Sequence, residues 1–174
     1  MKTAVIYRTT SGFTKRYAEW ISHDLNADLF DCRDIDRRKM LEYDAVIFGG
    51  SLHAIGISGI KLIKNNLSKL SGRKVIVFAV GASPVKEGLA QEIRDKNFTA
   101  EQQKQVRFYY LRGGFDFSKL DVPNKIIMTL LKWVLLRKKA RTPDEEGMLA
   151  GYATPLDATD RSSISGLVAY AKGN

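Results

Sequence analysis

Five short strand-like runs, four of them mainly apolar, separated by amphipathic or polar stretches limit what this chain of 174 residues can fold into. The runs span residues 3–7, 28–32, 44–49, 74–80 and 106–111 and are rich in Val, Ile, Phe and Tyr, residue types that suit strands. Residues 15–26 read as a helix, with Tyr17, Trp20, Ile21 and Leu25 on one face. Residues 58–70 read likewise through Ile60, Ile63, Leu67 and Leu70, with Ser71-Gly72 as the stop. A polar helix is predicted over 85–95, a turn or two over 99–104, and a closing helix over 160–172 with Ile164, Leu167, Val168 and Ala171 inward. Residues 33–42 are charged and read as a loop. Strands that alternate with helices predict an α/β fold: a doubly wound parallel sheet with helices on both faces. The unbroken apolar character of 44–49 suits a strand covered on both sides.

Four of the runs end in loops rich in Gly, Ser or Thr: after Tyr7, Phe48, Val80 and Leu111. Ligands of such sheets sit beyond the carboxyl ends of the strands. The first loop is the most informative. Thr9, Thr10, Ser11, Gly12, Phe13 and Thr14 stand where a strand turns into a helix. A helix N-terminus offers unpaired N–H groups and a partial positive charge. Hydroxyls add donors there, and a glycine lets the backbone approach a ligand. No Gly-Lys-Ser/Thr triplet follows, which excludes a nucleoside-triphosphate loop, and no Gly-x-Gly-x-x-Gly follows either. Two readings stand: a hydroxyl-capped helix, or a cradle for one terminal phosphate.

Composition narrows the rest. Met1-Lys2 leads straight into the first run, so no signal peptide is expected. No apolar run approaches the roughly 20 residues of a membrane span. The single Cys32 fits a reducing cytoplasm and reads as a packed thiol, and two histidines leave little for a soft-metal site. A net charge of +9 suits nucleic acid, an anionic membrane or an acidic protein. Zinc-finger spacing and RNA-binding signatures are absent, so no nucleic-acid partner is expected.

The first loop, with Thr9, Ser11, Gly12 and Thr14 in place, resembles the FMN-phosphate loop of flavodoxins, Ser/Thr-x-Thr/Ser-Gly-x-Thr. The chain as a whole is similar to the branch of that family that includes the menaquinone-dependent protoporphyrinogen dehydrogenases. Its opening Met-Lys-Thr-x-x-Ile, then Gly12-Phe13-Thr14, matches the N-terminus of that branch. Tyr43-Asp44-x-Val46-Ile47-x-Gly49-x-Ser51-Leu52-His53-x-x-Gly56 resembles its second block, and a basic, apolar insertion follows the fifth strand in both. Two loops depart. His53 and Ala54-Ile55 replace an Arg-Tyr pair, and Arg112-Gly113-Gly114-Phe115-Asp116-Phe117 replaces a Gly-Ala-Leu-Arg-Tyr type sequence.

The resemblance implies a flavodoxin-like five-stranded sheet of order 2-1-3-4-5 in one domain over 1–174, with FMN as cofactor and a helical insertion over about 115–150. It implies that residues 9–14 hold the phosphate and that Ser51, Leu52, His53, Ala54, Ile55 and Gly56 run along the ring edge. Gly56 is the expected site of a peptide that reorients with the redox state of the ring. Gly81, Ala82 and Ser83 would meet the pyrimidine side, and Arg112, Gly113, Gly114 and Phe115 would close the far side. His53 and Phe115 read equally as a water-facing histidine and a core ring, and Arg112 reads also as a surface charge. No catalytic residue is expected, since the flavin carries the chemistry.

Residues 126–136 are apolar at nine of eleven positions, and Arg137, Lys138, Lys139 and Arg141 follow. One reading is a helix packed on the domain. The other is a helix lying in a membrane interface, from Lys125 to Arg141, with Trp133 in lipid; Asp144, Glu145 and Glu146 would weaken it. Three functions remain open. One is an FMN oxidoreductase that passes electrons from a porphyrinogen to a quinone at the inner face of the membrane. The others are an electron carrier between redox proteins and a binding domain without redox work.

Overall fold

The computed structural model describes residues 1–120 and 122–173. Strands β1 (Thr3–Arg8), β2 (Asp28–Asp31), β3 (Ala45–His53), β4 (Lys74–Gly81) and β5 (Val106–Arg112) form one parallel sheet. Their order is β2-β1-β3-β4-β5, the doubly wound arrangement the alternation predicts. Register is set in the apolar centre, where Ile6 pairs with Phe48 and Val46 with Val75.

The longer helices are α1 (Phe13–Leu25), α2 (Leu89–Asn97), α3 (Val122–Arg137), α4 (Pro143–Gly151) and α5 (Ser165–Lys172). Side chains of a strand alternate between faces, and each face has its own core. Ala4, Ile6, Val46, Phe48, Val75 and Val77 pack under Ile60, Ile63, Leu67, Leu70 and Ile93. Val5, Ile47, Ile76 and Phe78 pack under Tyr17 and Ile21 of α1 and Leu167 and Ala171 of α5.

Several expected boundaries move. β3 does not end at Gly49 but runs to His53, so Ser51, Leu52 and His53 are strand residues. The two glycines are there for close packing. A Cβ on Gly49 would lie 2.1 Å from the Phe78 ring, and one on Gly50 would lie 2.6 Å from the Ser58 carbonyl. Residues 58–70 are not one helix. Gly56–Ile57 first folds back antiparallel onto Leu52 and His53. One helical turn (Lys61–Lys64) and one 3-10 turn (Leu67–Leu70) follow. Asn66 divides them, its side chain donating to the Leu62 carbonyl at 2.7 Å, an example of a short polar side chain competing with the helix ladder. The predicted apolar face is buried all the same.

Residues 33–42 are not all loop. Asp36 caps a helical turn (Arg37–Met40) through the Lys39 amide at 2.8 Å, and Ile35 and Met40 are buried. α2 begins only after Gly88 at φ 80°, which leaves Val85 exposed, and the closing helix opens with a 3-10 turn, Arg161–Ile164. The insertion holds a second helix, α4, started by Pro143 and a capping box between Thr142 and Glu145. A two-stranded ribbon, Gly114–Phe115 against Leu156–Asp157, joins the two ends of the insertion, and Arg16 of α1 binds Asp157.

Candidate functional site

The β1–α1 junction decides between the two readings of the first loop. The N-cap of α1 is Gly12 at φ 93°, and no side chain caps the helix. The amides of Phe13, Thr14 and Lys15 therefore have no backbone acceptor. The hydroxyls hold the loop instead. Thr9 Oγ1 accepts from the Gly12 amide at 3.0 Å. Ser51 Oγ accepts from the Thr10 amide at 3.1 Å and bonds Thr14 Oγ1 at 2.9 Å. His53 Nε2 meets Thr10 Oγ1 at 3.1 Å. An uncapped helix end ringed by hydroxyls is a receptor for an anion, and the capped-helix reading falls.

A cavity of about 260 Å3 opens beside this junction. Of the expected residues, Thr10, Ser11, Phe13, Thr14, Ser51, Leu52, His53, Ala54, Gly81, Ala82, Ser83, Gly114 and Phe115 line it. All four loops thus converge. Thr9, Gly12, Ile55, Gly56, Arg112 and Gly113 do not line it. Thr9 and Gly12 shape the cradle backbone. Arg112 is the last residue of β5 rather than a loop residue; its carbonyl accepts from Tyr17 at 2.7 Å, and its Nε is buried with no hydrogen-bond partner. Gly113 lies where a Cβ would be 2.6 Å from Val80. Phe13 is a core residue of α1 as well as a cavity wall.

In the hairpin after β3 the left-handed residue is Ala54, at φ 52°, and Gly56 takes no positive φ. A Cβ on Gly56 would make only an ordinary contact, 3.6 Å from the His53 carbonyl. Phe115 packs edge-on to Tyr152, with ring centroids 5.1 Å apart. On the β4 side the Tyr110 hydroxyl donates to the Ser83 carbonyl at 2.7 Å, and burial pushes that phenol up to about 12 despite nearby Arg112. A Cβ on Gly81 would be 2.9 Å from the same hydroxyl, so glycine keeps the slot open. Burial also pushes the Cys32 thiol up, and it packs beside the core as a structural residue.

Sequence reasoning missed the roof. Leu120, Asn124, Met128 and Met148 of the insertion line the same cavity. The signal was present as spacing: Asn124, Met128, Leu131 and Leu135 fall on one helical stripe. The other side of α3 is also apolar. Ile126, Leu130, Trp133 and Val134 form a second stripe, exposed at 58%, 64%, 60% and 64%, and Leu135 is the one buried residue described in α3. α3 thus packs on the domain through one stripe and leaves its second apolar stripe exposed. At its end, Arg141 donates to the Leu135 and Leu136 carbonyls, and Lys138 binds Glu145 at 2.7 Å. The expected acidic counterweight is thus Glu145; the Asp144 side chain lies outside the described residues.

A monophosphate with a flat ring fits what is present. The cradle supplies unpaired amides and hydroxyls, and the cavity beside it is walled by Leu52, Val80, Phe115 and Met128. FMN, when bound, supplies electron transfer through its ring.

Among known proteins, the family model described as the flavodoxin domain matches residues 4–144. No curated protein matches the chain. Flavodoxin 1 from Bacillus cereus is 19% identical over 64% of this chain and 84% of its own, with a TM-score of 0.48. The Trp repressor binding protein from Bacillus subtilis is 25% identical over 64% and 83%, with a TM-score of 0.47. The WrbA-like flavodoxin from Agrobacterium tumefaciens is 15% identical over 71% and 87%, with a TM-score of 0.46. The match to the family model spans most of the sequence and includes the whole cradle: the chain belongs to the flavodoxin-domain family, whose cofactor is FMN.

Proposed function

We propose that this chain is an FMN-dependent oxidoreductase that exchanges electrons with a small apolar molecule of the quinone or porphyrinogen class at an anionic membrane surface. One observation carries the reading: the helix that roofs the cofactor cavity through Met128 turns an uncovered apolar stripe to solvent on its other side. Apolar faces of a helix are normally buried. Here the second stripe is open, and Trp133 lies beside Arg137, whose guanidinium is 5.8 Å from the ring centroid. That combination suits the interface plane of a bilayer. Arg137 and Lys139 would face headgroups, each contributing on the order of 1 kcal/mol. Lys138 and Arg141 are engaged within the insertion and contribute less.

In this reading Thr10, Ser11, Thr14 and the open amides of α1 hold the phosphate. Leu52, His53, Ala54, Gly81, Ala82 and Ser83 border the ring, and Met128, Met148 and Phe115 exclude water above it. Each quinone reduced to quinol takes two electrons and two protons from the porphyrinogen donor. No helix among the described residues is long and apolar enough to cross a membrane, so contact would be peripheral.

The test has two arms. Purified protein is titrated with FMN, with quenching of flavin fluorescence expected, and then assayed for porphyrinogen oxidation with a quinone. It is also sedimented with phosphatidylglycerol vesicles at low salt, where Trp133→Ser is expected to weaken pelleting. Quenching without quinone-dependent turnover would favour the electron-carrier reading. A protein that stays in the supernatant refutes the membrane contact.

A further inference from the structure

Asn97, the last residue of α2, lines no part of the cavity, yet it is 7% exposed and its amide is fully engaged. Its Oδ1 accepts from the Ile57 amide at 3.0 Å. Its Nδ2 donates to the Ile55 carbonyl at 2.6 Å and to the Ile93 carbonyl at 2.8 Å. The partners dictate which end is oxygen, since one is a pure donor and two are pure acceptors. The side chain thus clamps the return arm of the hairpin, whose tip, Ala54, lines the cavity. The root of the hairpin is fixed independently, through Ser51 and His53, to the phosphate loop.

The clamp leaves one peptide unlike its neighbours. The Ile55 carbonyl and the Ile57 amide are paired to Asn97, whereas the Ala54 carbonyl and the Ile55 amide have no partner among the described residues. Ala54 is held at φ 52°, a conformation that an L-residue adopts only when its surroundings impose it. From this we infer that Asn97 is the positioning residue of the ring-facing wall: by tying Ile55 and Ile57 to α2, it holds Ala54 at the cavity and leaves the groups of the Ala54–Ile55 peptide unpaired. The inference rests on the FMN reading above. Oxidised and reduced rings differ in the N–H groups they carry, so the peptide groups offered at the ring edge set their relative affinities. Asn97 keeps the Ile55 carbonyl away from the ring.

The experiment compares wild type with Asn97→Ala. Affinity for oxidised FMN and for riboflavin, which lacks the phosphate, is expected to fall by the same factor, about tenfold, for a hydrogen-bonded buried amide. Once released, the Ile55 carbonyl is free to turn toward the cavity as an added acceptor for the reduced ring, so the reduced-to-oxidised affinity ratio should rise about tenfold, equal to ~30 mV upward for a two-electron couple. A lower melting temperature with unchanged affinities and potential would make Asn97 merely structural and overturn the inference. Amide exchange on the wild type gives a readout that does not depend on the variant folding. The Ile57 amide should be protected with and without FMN, and the Ile55 amide should become protected only when FMN is added. FMN binding without protection at Ile55 refutes this inference alone; no FMN binding at all removes the cofactor reading and this inference with it.

Discussion

Ser51→Ala removes the buried side chain that ties the phosphate loop to the sheet. Ser51 Oγ accepts from the Thr10 amide at 3.1 Å and bonds Thr14 Oγ1 at 2.9 Å. Both side chains are secluded: Ser51 is 8% exposed and Thr14 not at all. Each bond contributes about 1 kcal/mol net, and a buried Thr14 hydroxyl left without a partner adds about 1 kcal/mol more. The expected loss is therefore about 3 kcal/mol, or roughly 6–12 °C in melting temperature for a domain of this size. Urea unfolding of the apoprotein measures it directly. The loosened loop must then be ordered by its ligand, so FMN affinity should drop about tenfold for every 1.4 kcal/mol so used. Riboflavin affinity should stay unchanged. A double-mutant cycle with Thr14→Val isolates the hydroxyl pair, with a coupling of about 1 kcal/mol expected. Stability within about 0.5 kcal/mol of wild type, together with unchanged FMN affinity, would refute the claim that this hydroxyl pair shapes the cradle.

Two further outcomes test the fold around the site. Burial pushes the Asp157 carboxyl up, but hydrogen bonds from Arg16 and Thr159 outweigh it and hold the group at about 2, below its ordinary 3.8. The unfolded chain then takes up the proton first on acidification. The stabilisation is complete above 3.8 and disappears as pH falls toward about 2. Asp157→Asn should flatten urea midpoints across that window, by under about 1 kcal/mol because the pair is half exposed. Gly12→Ala and Gly49→Ala should separate two uses of glycine. At Gly12 a Cβ meets nothing and only the positive φ opposes it, which costs about 1 kcal/mol. At Gly49 the Cβ enters the Phe78 ring, and thermal unfolding should show a loss of about 1–3 kcal/mol or more.

Local signals in the sequence determined the sheet, its helices and the cradle. Apolar runs, a 3.6-residue spacing in α1 and the hydroxyls around Gly12 act over a few residues, so their meaning does not depend on distant partners. Strand order came from the family resemblance, since alternation by itself predicts only a parallel sheet covered on both faces. Boundaries and directions were different. Gly49 and Gly50 looked like the start of a loop, but the ring of Phe78 and the carbonyl of Ser58 make them strand residues. The split at Asn66 kept the burial pattern of a helix while abandoning the helix. Tertiary structure decided that the stripe through Asn124 and Met128 roofs the cavity, that Asn97 clamps the hairpin, and that the other face of α3 is exposed. Met128 and Met148 are distant in sequence from the first loop, and Asn97 is 40 residues from Ile57. An apolar helix reads the same whether its second face is covered or bare. Long-range neighbours settle such points, because burial and hydrogen bonding are properties of pairs, and a sequence shows only one member at a time.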